Sequence, residues 1–151
     1  MSDINISDSL PSWIKDHIEI YLKDGDAGHL WDSSIGGGKG LLTTLLLTTT
    51  GRKSGRALMI PLIYRPTADG GFCVIASKGG APSHPAWFLN LEANPKVNLK
   101  VAKEDFPAVA RIVTGEERAR LWSLMVDYYS PYTSYQAATE REIPVVVIDR
   151  V

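Results

Sequence analysis

The feature that most constrains this chain is a succession of short apolar runs punctuated by glycine-bounded turns. Leu42 to Thr50 is built of leucine and threonine, Gly51-Arg-Lys-Ser-Gly55 follows it, and Ala57 to Tyr64 resumes the apolar run. Asp69-Gly-Gly71 marks a second turn before Phe72 to Ser77. Branched and apolar side chains suit a pleated, half-buried surface, and glycine permits the backbone angles of tight turns, so three consecutive antiparallel strands are expected. Further on, Val97, Leu99 and Val101 alternate with Asn98 and Lys100. Phe106, Ala108, Ala110 and Ile112 alternate likewise, which predicts a hairpin turned through Lys103-Glu-Asp105. Ile143 to Ile148, with three successive valines, reads as a final buried strand.

Helical spacing separates these runs. Trp13, Ile14, Ile18, Tyr21 and Leu22 recur at three- and four-residue steps between Pro11 and Lys23, the mark of an amphipathic helix. Asp24 to Gly40 is polar and glycine-rich and is expected to be a loop. Ser83 to Asn94 predicts a short helix with Ser83 as N-cap and an early Pro85, while Thr114-Gly-Glu-Glu117 spells a capping box ahead of Leu121, Leu124, Met125 and Tyr128. The order αβββαββαβ predicts one mainly β domain over residues 1–151: five or six antiparallel strands in a small barrel, helices on the periphery, and an N-terminal helix and loop at 1–40.

Composition removes several functions. With 22% charged residues and a net charge of -1, the chain lacks the basic footprint of a nucleic-acid binder. Cys73 is the only cysteine, which rules out an internal disulfide and suits a reducing cytoplasm. The start, Met1-Ser-Asp-Ile-Asn5, lacks the positive region and apolar run of a leader, and no stretch approaches the roughly 20 apolar residues of a membrane span. A cytoplasmic location is expected, with attachment to the inner membrane face left open. His17, His29 and His84 lack metal-ligand spacing, and no Ser-His-Asp or paired-carboxylate set stands out. Gly36 to Gly40 fails as a phosphate loop, because Ser33 stands where glycine is needed and Gly40 where a magnesium-binding hydroxyl should be.

Three segments carry chemistry. Gly51 to Gly55 sets Arg52, Lys53 and Ser54 between glycines, with Arg56 just beyond, and suits a phosphate or carboxylate as well as it suits a solvated turn. Ser77-Lys-Gly-Gly80 ends a strand with a hydroxyl, a cation and two residues that permit close approach to the backbone. Tyr128, Tyr129, Tyr132 and Tyr135 crowd around Pro131, which must break a helix. Tyr129, Tyr132 and Tyr135 fit a core stripe and equally a pocket wall that donates phenolic hydrogen bonds.

Taken in order, Leu45-Leu-Leu-Thr-Thr-Thr-Gly-Arg-Lys-Ser-Gly55, Pro61-Leu62, Ala76-Ser-Lys-Gly-Gly80, Pro85-Ala-Trp-Phe-Leu-Asn-Leu91, Ala93-Asn-Pro-Lys96, Tyr132-Thr-Ser-Tyr135 and Ile143-Pro-Val-Val146 resemble the deazaflavin-dependent nitroreductase and quinone reductase family. The resemblance implies an FMN-binding-like split β-barrel that holds 8-hydroxy-5-deazaflavin (coenzyme F-420) and passes its hydride to a quinone or a nitroaromatic acceptor. By that resemblance Arg52, Lys53 and Ser54 would face the cofactor's phosphate and acidic tail. Met59, Ile60, Pro61 and Leu62, with Ile75, Ala76, Ser77 and Lys78, would line the ring, and Ala86, Trp87 and Asn90 would close the groove. Tyr129, Tyr132 and Tyr135 would wall the substrate side, with Ser77 beside the ring. The family's best-known nitroreductase carries an aromatic residue and an arginine where this chain has Ile63 and Leu58, so quinone reduction is the expected reaction. FMN as the cofactor, a non-enzymatic binder of a lipid or haem-like molecule, and a homodimer stay open.

Overall fold

The computed structural model describes residues 4–5 and 10–151; the start of the chain, read above for a leader, lies largely outside the described residues. In chain order the elements are β1 (Ile4–Asn5), α1 (Ser12–Lys23), α2 (Gly25–His29), β2 (Leu30–Asp32), β3 (Leu41–Thr50), β4 (Ala57–Ile63), β5 (Arg65–Pro66) and β6 (Phe72–Ile75). There follow α3 (Ala86–Ala93), β7 (Lys96–Val101), β8 (Glu104–Ile112), α4 (Gly115–Tyr128), α5 (Pro131–Ala137) and β9 (Val145–Arg150). Hydrogen bonding runs β1-β4-β3-β7-β8-β9-β6-β5, with β2 also on β3. Every pairing is antiparallel except the parallel contact of β1 with the start of β4. The result is a curled sheet with helices around it, the expected split barrel.

The expected meander is corrected at its third strand. β4 pairs with β3, but β6 pairs with β9 and the two-residue β5, leaving a seam between β4 and β6. Pro61 sits within β4, and proline is tolerated at a sheet edge because one ladder hydrogen bond is already missing there.

Period-2 alternation divides the strands between three apolar clusters. Leu45, Leu47, Val74, Ala76, Val146 and Ile148 fill the barrel interior with Phe88 and Leu91 from α3. Cys73, Ile75, Val145 and Val147 point the other way, onto Leu121 and Met125 of α4 and onto Tyr129 and Tyr132. Leu46 and Met59 face Ile18 and Tyr21 of α1.

The connector 24–40, expected to be a loop, is structured. Asp24 caps α2 by accepting from the Asp26 and Ala27 N–H groups, Asp32 caps the 3-10 turn Ser33–Gly36, and β2 pairs with β3. A Cβ on Gly28 would collide with Tyr21, so glycine lets α2 fold back on α1. Two caps also differ from expectation. Pro85, not Ser83, precedes α3, and Thr114 makes no side-chain cap, while the Glu117 carboxylate that would complete a capping box is paired with Arg111 at 2.9 Å. The β7–β8 turn falls earlier, at Ala102, whose φ of 54° is held by its N–H donating to the Tyr21 hydroxyl at 2.9 Å.

Burial pushes the Cys73 thiol up to about 12, with the charge of Glu117 adding to the effect. An unfolded thiol ionises near pH 9, so between pH 9 and 12 the unfolded chain sheds a proton that the folded one keeps. Stability therefore falls as pH rises, by up to about 1.4 kcal/mol per pH unit. In Cys73→Ala this fall should flatten between about pH 9 and 10, before tyrosines ionise; an unchanged slope in urea titrations would show that the thiol is not the titrating group.

Candidate active site at the sheet seam

The seam opens into a cavity of about 830 Å³ where the three apolar clusters meet, within the roughly 300–1,000 Å³ typical of small-molecule sites. Its walls come from five places. The free edge of β4 supplies Met59, Ile60, Pro61 and Leu62; the end of β6 and the following turn supply Ile75, Ser77, Lys78 and Gly79; α3 supplies Ala86, Trp87 and Asn90. Tyr129 and α5 bring in Tyr132 and Tyr135, and α1 adds Trp13 and Ile14.

Most residues singled out from the sequence thus converge. Ala76 does not line the cavity: strand alternation turns it, fully buried, into the barrel interior while its neighbours Ile75 and Ser77 face the opening. Arg52, Lys53 and Ser54 are not in the wall either. Arg52 reaches it indirectly, its backbone N–H and Nη1 both donating to Oδ1 of buried Asn90 at 3.2 and 3.0 Å, while Asn90 Nδ2 donates to Thr49 Oγ1 at 3.2 Å. Lys53 is exposed, and the Ser54 hydroxyl is turned back to accept from the Arg56 N–H at 3.1 Å.

Several contributors were missed. Trp13 and Ile14 belong to a helix that periodicity assigned only to packing. Thr49, Leu58 and Pro85 lie beside recognised motifs but carry no chemical signal of their own.

Pro131 starts α5 at its first turn, immediately after α4 ends, and this corner brings three phenols together. The Tyr129 and Tyr132 rings meet edge to face with centroids 5.0 Å apart, and the Tyr132 and Tyr135 rings at 6.2 Å. The hydroxyls have different fates. Tyr129 donates to the Gly36 carbonyl at 3.0 Å and lies 3.1 Å from the Tyr135 hydroxyl. The Tyr132 hydroxyl has no hydrogen-bond partner among the described residues. Burial, then the neighbouring Tyr129, raises the Tyr132 phenol well above its ordinary value, so it keeps its proton and remains a donor at any working pH.

Chemically, the cavity offers an apolar slot for a flat ring system, a lone phenolic donor and the Ser77 hydroxyl on its walls, and cations at Lys78 and, through Asn90, Arg52. Among the described residues no group of three His, Cys, Asp or Glu could hold a metal ion.

The family model described as F420H(2)-dependent quinone reductase matches residues 21–150. The F420H(2)-dependent quinone reductase Rv1261c of Mycobacterium tuberculosis is 34% identical over 149 residues, covering 91% of this chain and 96% of that one. The F420-H2 dependent reductase FDR-A superposes with a TM-score of 0.64 at 43% identity, over 70% of this chain and 93% of its own. A relative that forms a domain-swapped dimer superposes at 0.66 with 37% identity, over 91% of this chain and 98% of its own.

The unequal bonding of the phenols can be tested by stability alone. Tyr129→Phe removes the bond to the Gly36 carbonyl and should cost about 1–2 kcal/mol, whereas Tyr132→Phe loses no protein partner and should stay within about 0.5 kcal/mol of the parent. Equal losses by chemical denaturation would contradict this division.

Proposed function

The chain belongs to the F420H(2)-dependent quinone reductase family and is an oxidoreductase that works with the deazaflavin coenzyme F-420; from this premise we propose that the seam cavity is where that coenzyme and a quinone meet. The observation that carries the proposal is Tyr132, whose hydroxyl has no partner among the described residues, in the wall of an apolar cavity that also holds Ser77 and Lys78 and that Arg52 reaches through Asn90. The family leaves FMN and a non-enzymatic role without support.

When bound, the reduced coenzyme supplies the hydride. The protein's part is to hold and polarise. Met59 to Leu62, Ile75 and Trp87 exclude water from the ring and thereby strengthen every polar contact beside it. Arg52, Lys53, Ser54 and Lys78 attract the anionic tail, with Asn90 fixing the direction of Arg52. Tyr132 donates its phenolic hydrogen bond to the acceptor oxygen that gains negative charge, with Tyr135, Tyr129 and Ser77 shaping the space around it. A donor already fixed in a dry site stabilises that charge more in the transition state than in the ground state. Quinones gain such charge on oxygen, as do nitroaromatics, and both belong to the proposed acceptor class, quinones first.

A homodimer and a cytoplasmic location complete the reading. The domain-swapped relative and the exposure of Ile35, at 70%, and Leu41, at 63%, support the first. A lone buried thiol supports the second. No helix among the described residues is long and apolar enough to cross a membrane. Light scattering should report twice the 16.5 kDa chain mass; the single-chain mass at working concentration would refute the dimer.

In a titration monitored by absorbance, coenzyme F-420 should bind and FMN should not. Tyr132→Phe should leave coenzyme affinity and melting temperature near those of the parent while quinone turnover falls about ten- to a thousandfold. Arg52→Ala with Lys53→Ala should weaken coenzyme binding about tenfold or more, in part mimicked by salt. Full turnover in Tyr132→Phe would return that residue to packing, and unchanged affinity in the double variant would make the basic turn merely solvated.

A further inference from the structure

Outside the cavity wall lies a guanidinium whose donors all converge on one short stretch of backbone and the histidine beside it. Arg141, in the segment between α5 and β9, makes no ion pair among the described residues. All its contacts are to neutral acceptors. Nε donates to the Ala81 carbonyl at 2.8 Å, Nη2 to the Ser77 carbonyl at 2.7 Å, and Nη1 to the Ala76 carbonyl at 3.3 Å and to His84 Nδ1 at 3.0 Å. A guanidinium only donates, so His84 Nδ1 accepts and its proton sits on Nε2. The fork therefore grips both ends of the turn at residues 77–81 at once, which a single ammonium could not do. Desolvation without an anion lowers the Arg141 pKa below its ordinary value, so the grip is made at a cost in hydration.

What it grips is strained. Lys78, Gly79 and Gly80 have φ of 46°, 63° and 84°, three left-handed residues in succession, one of them with a side chain. Such backbone persists only where its surroundings over-determine it. Here the same turn supplies Ser77, Lys78 and Gly79 to the cavity. The opposite wall is tied to the same point: a Cβ on Gly80 would lie 2.7 Å from the Tyr135 carbonyl oxygen, so α5 sits directly against the turn. Gln136 of α5 then holds the arginine segment, its Nε2 donating to the Arg141 carbonyl at 2.8 Å and its Oε1 accepting from the Ile143 N–H at 2.9 Å.

We infer that Arg141 is a positioning residue that holds the strained Ser77–Gly80 turn against α5, and so sets the spacing between the Ser77 wall and the Tyr132 wall of the cavity. Its effect on coenzyme rests on the function proposed above; its effect on the turn does not.

The experiment has two arms, each on the full chain with Arg141→Gln and Arg141→Lys. In the first, amide hydrogen exchange is followed without ligand. The Gly80 and Ala81 N–H groups, which donate to the Ser77 and Lys78 carbonyls at 2.9 and 3.1 Å, should exchange about tenfold faster or more in both variants, while core amides of β3 and β9 keep their protection. Lysine should not rescue, because it restores the charge but not the fork. In the second, coenzyme F-420 should bind about tenfold weaker to both variants at a temperature where both remain folded. A merely structural arginine would instead speed exchange throughout the sheet and leave the coenzyme affinity of the folded protein intact. Unchanged exchange at Gly80 and Ala81 would overturn the inference, as would faster exchange with coenzyme affinity intact. Failure of the parent itself to bind coenzyme would refute the proposed function, while the exchange arm would still decide whether Arg141 holds the turn.

Discussion

The structure depends on a sheet that curls almost into a barrel and stops short of closing. An open strand edge carries unpaired polar backbone, which must be hydrogen-bonded, hydrated or covered. Here β4 and β6 face each other across the seam, and α1, α3 and α5 cover the opening without filling it. The cavity is what remains. Its chemistry follows from its position, since three separately packed apolar clusters each lend it a wall, and the few polar groups come from the turn after β6, from Asn90 of α3 and from the tyrosines of the α4–α5 corner.

Closing the rest of the sheet places demands on the N-terminal segment. The Tyr21 hydroxyl donates to the Thr44 carbonyl at 2.8 Å and accepts from the Ala102 N–H, tying α1 to β3 and to the β7–β8 turn. His17 and Thr44 both meet the Gly28 carbonyl, at 2.8 Å each. Buried polar groups cost free energy unless paired, and these are paired with one another. Trp13 can therefore sit at the cavity rim on a helix whose position is set by hydrogen bonds.

Division of labour among the tyrosines has the same origin. Tyr129 is committed to the Gly36 turn and Tyr135 to Tyr129, so their hydroxyls serve the architecture. Tyr132, as buried as Tyr129, is the one of the three left without a hydrogen-bond partner among the described residues. Among those residues the cavity wall carries a single cation, Lys78, with Arg52 held one residue away through Asn90, in keeping with a chain whose net charge is only -1.

Sequence patterning was enough for the six long strands and most of the flanking helices, because alternation and helical period are local consequences of which side chains must leave water, whereas most wall residues were named by the family resemblance alone. The Val145–Val147 and Val146–Ile148 faces could be told apart by period alone. Local pattern also placed the helix break at Pro131, but α5, which starts there, was absent from the expected order. Pairing was decided elsewhere. Nothing near Phe72 to Ile75 reveals that β6 joins β9, some seventy residues later, instead of β4, and hence that a seam exists. Asp24 to Gly40 read as loop because its order comes from contacts with Tyr21 and β3, and Thr114 lost its expected partner when tertiary folding brought Arg111 to Glu117. Arg141 carried no motif at all. Its meaning depends on three carbonyls and an imidazole from residues 76–84, whose convergence on one guanidinium is a property of the folded chain, because hydrogen-bond geometry is set in space and only the backbone's local preferences are set in sequence.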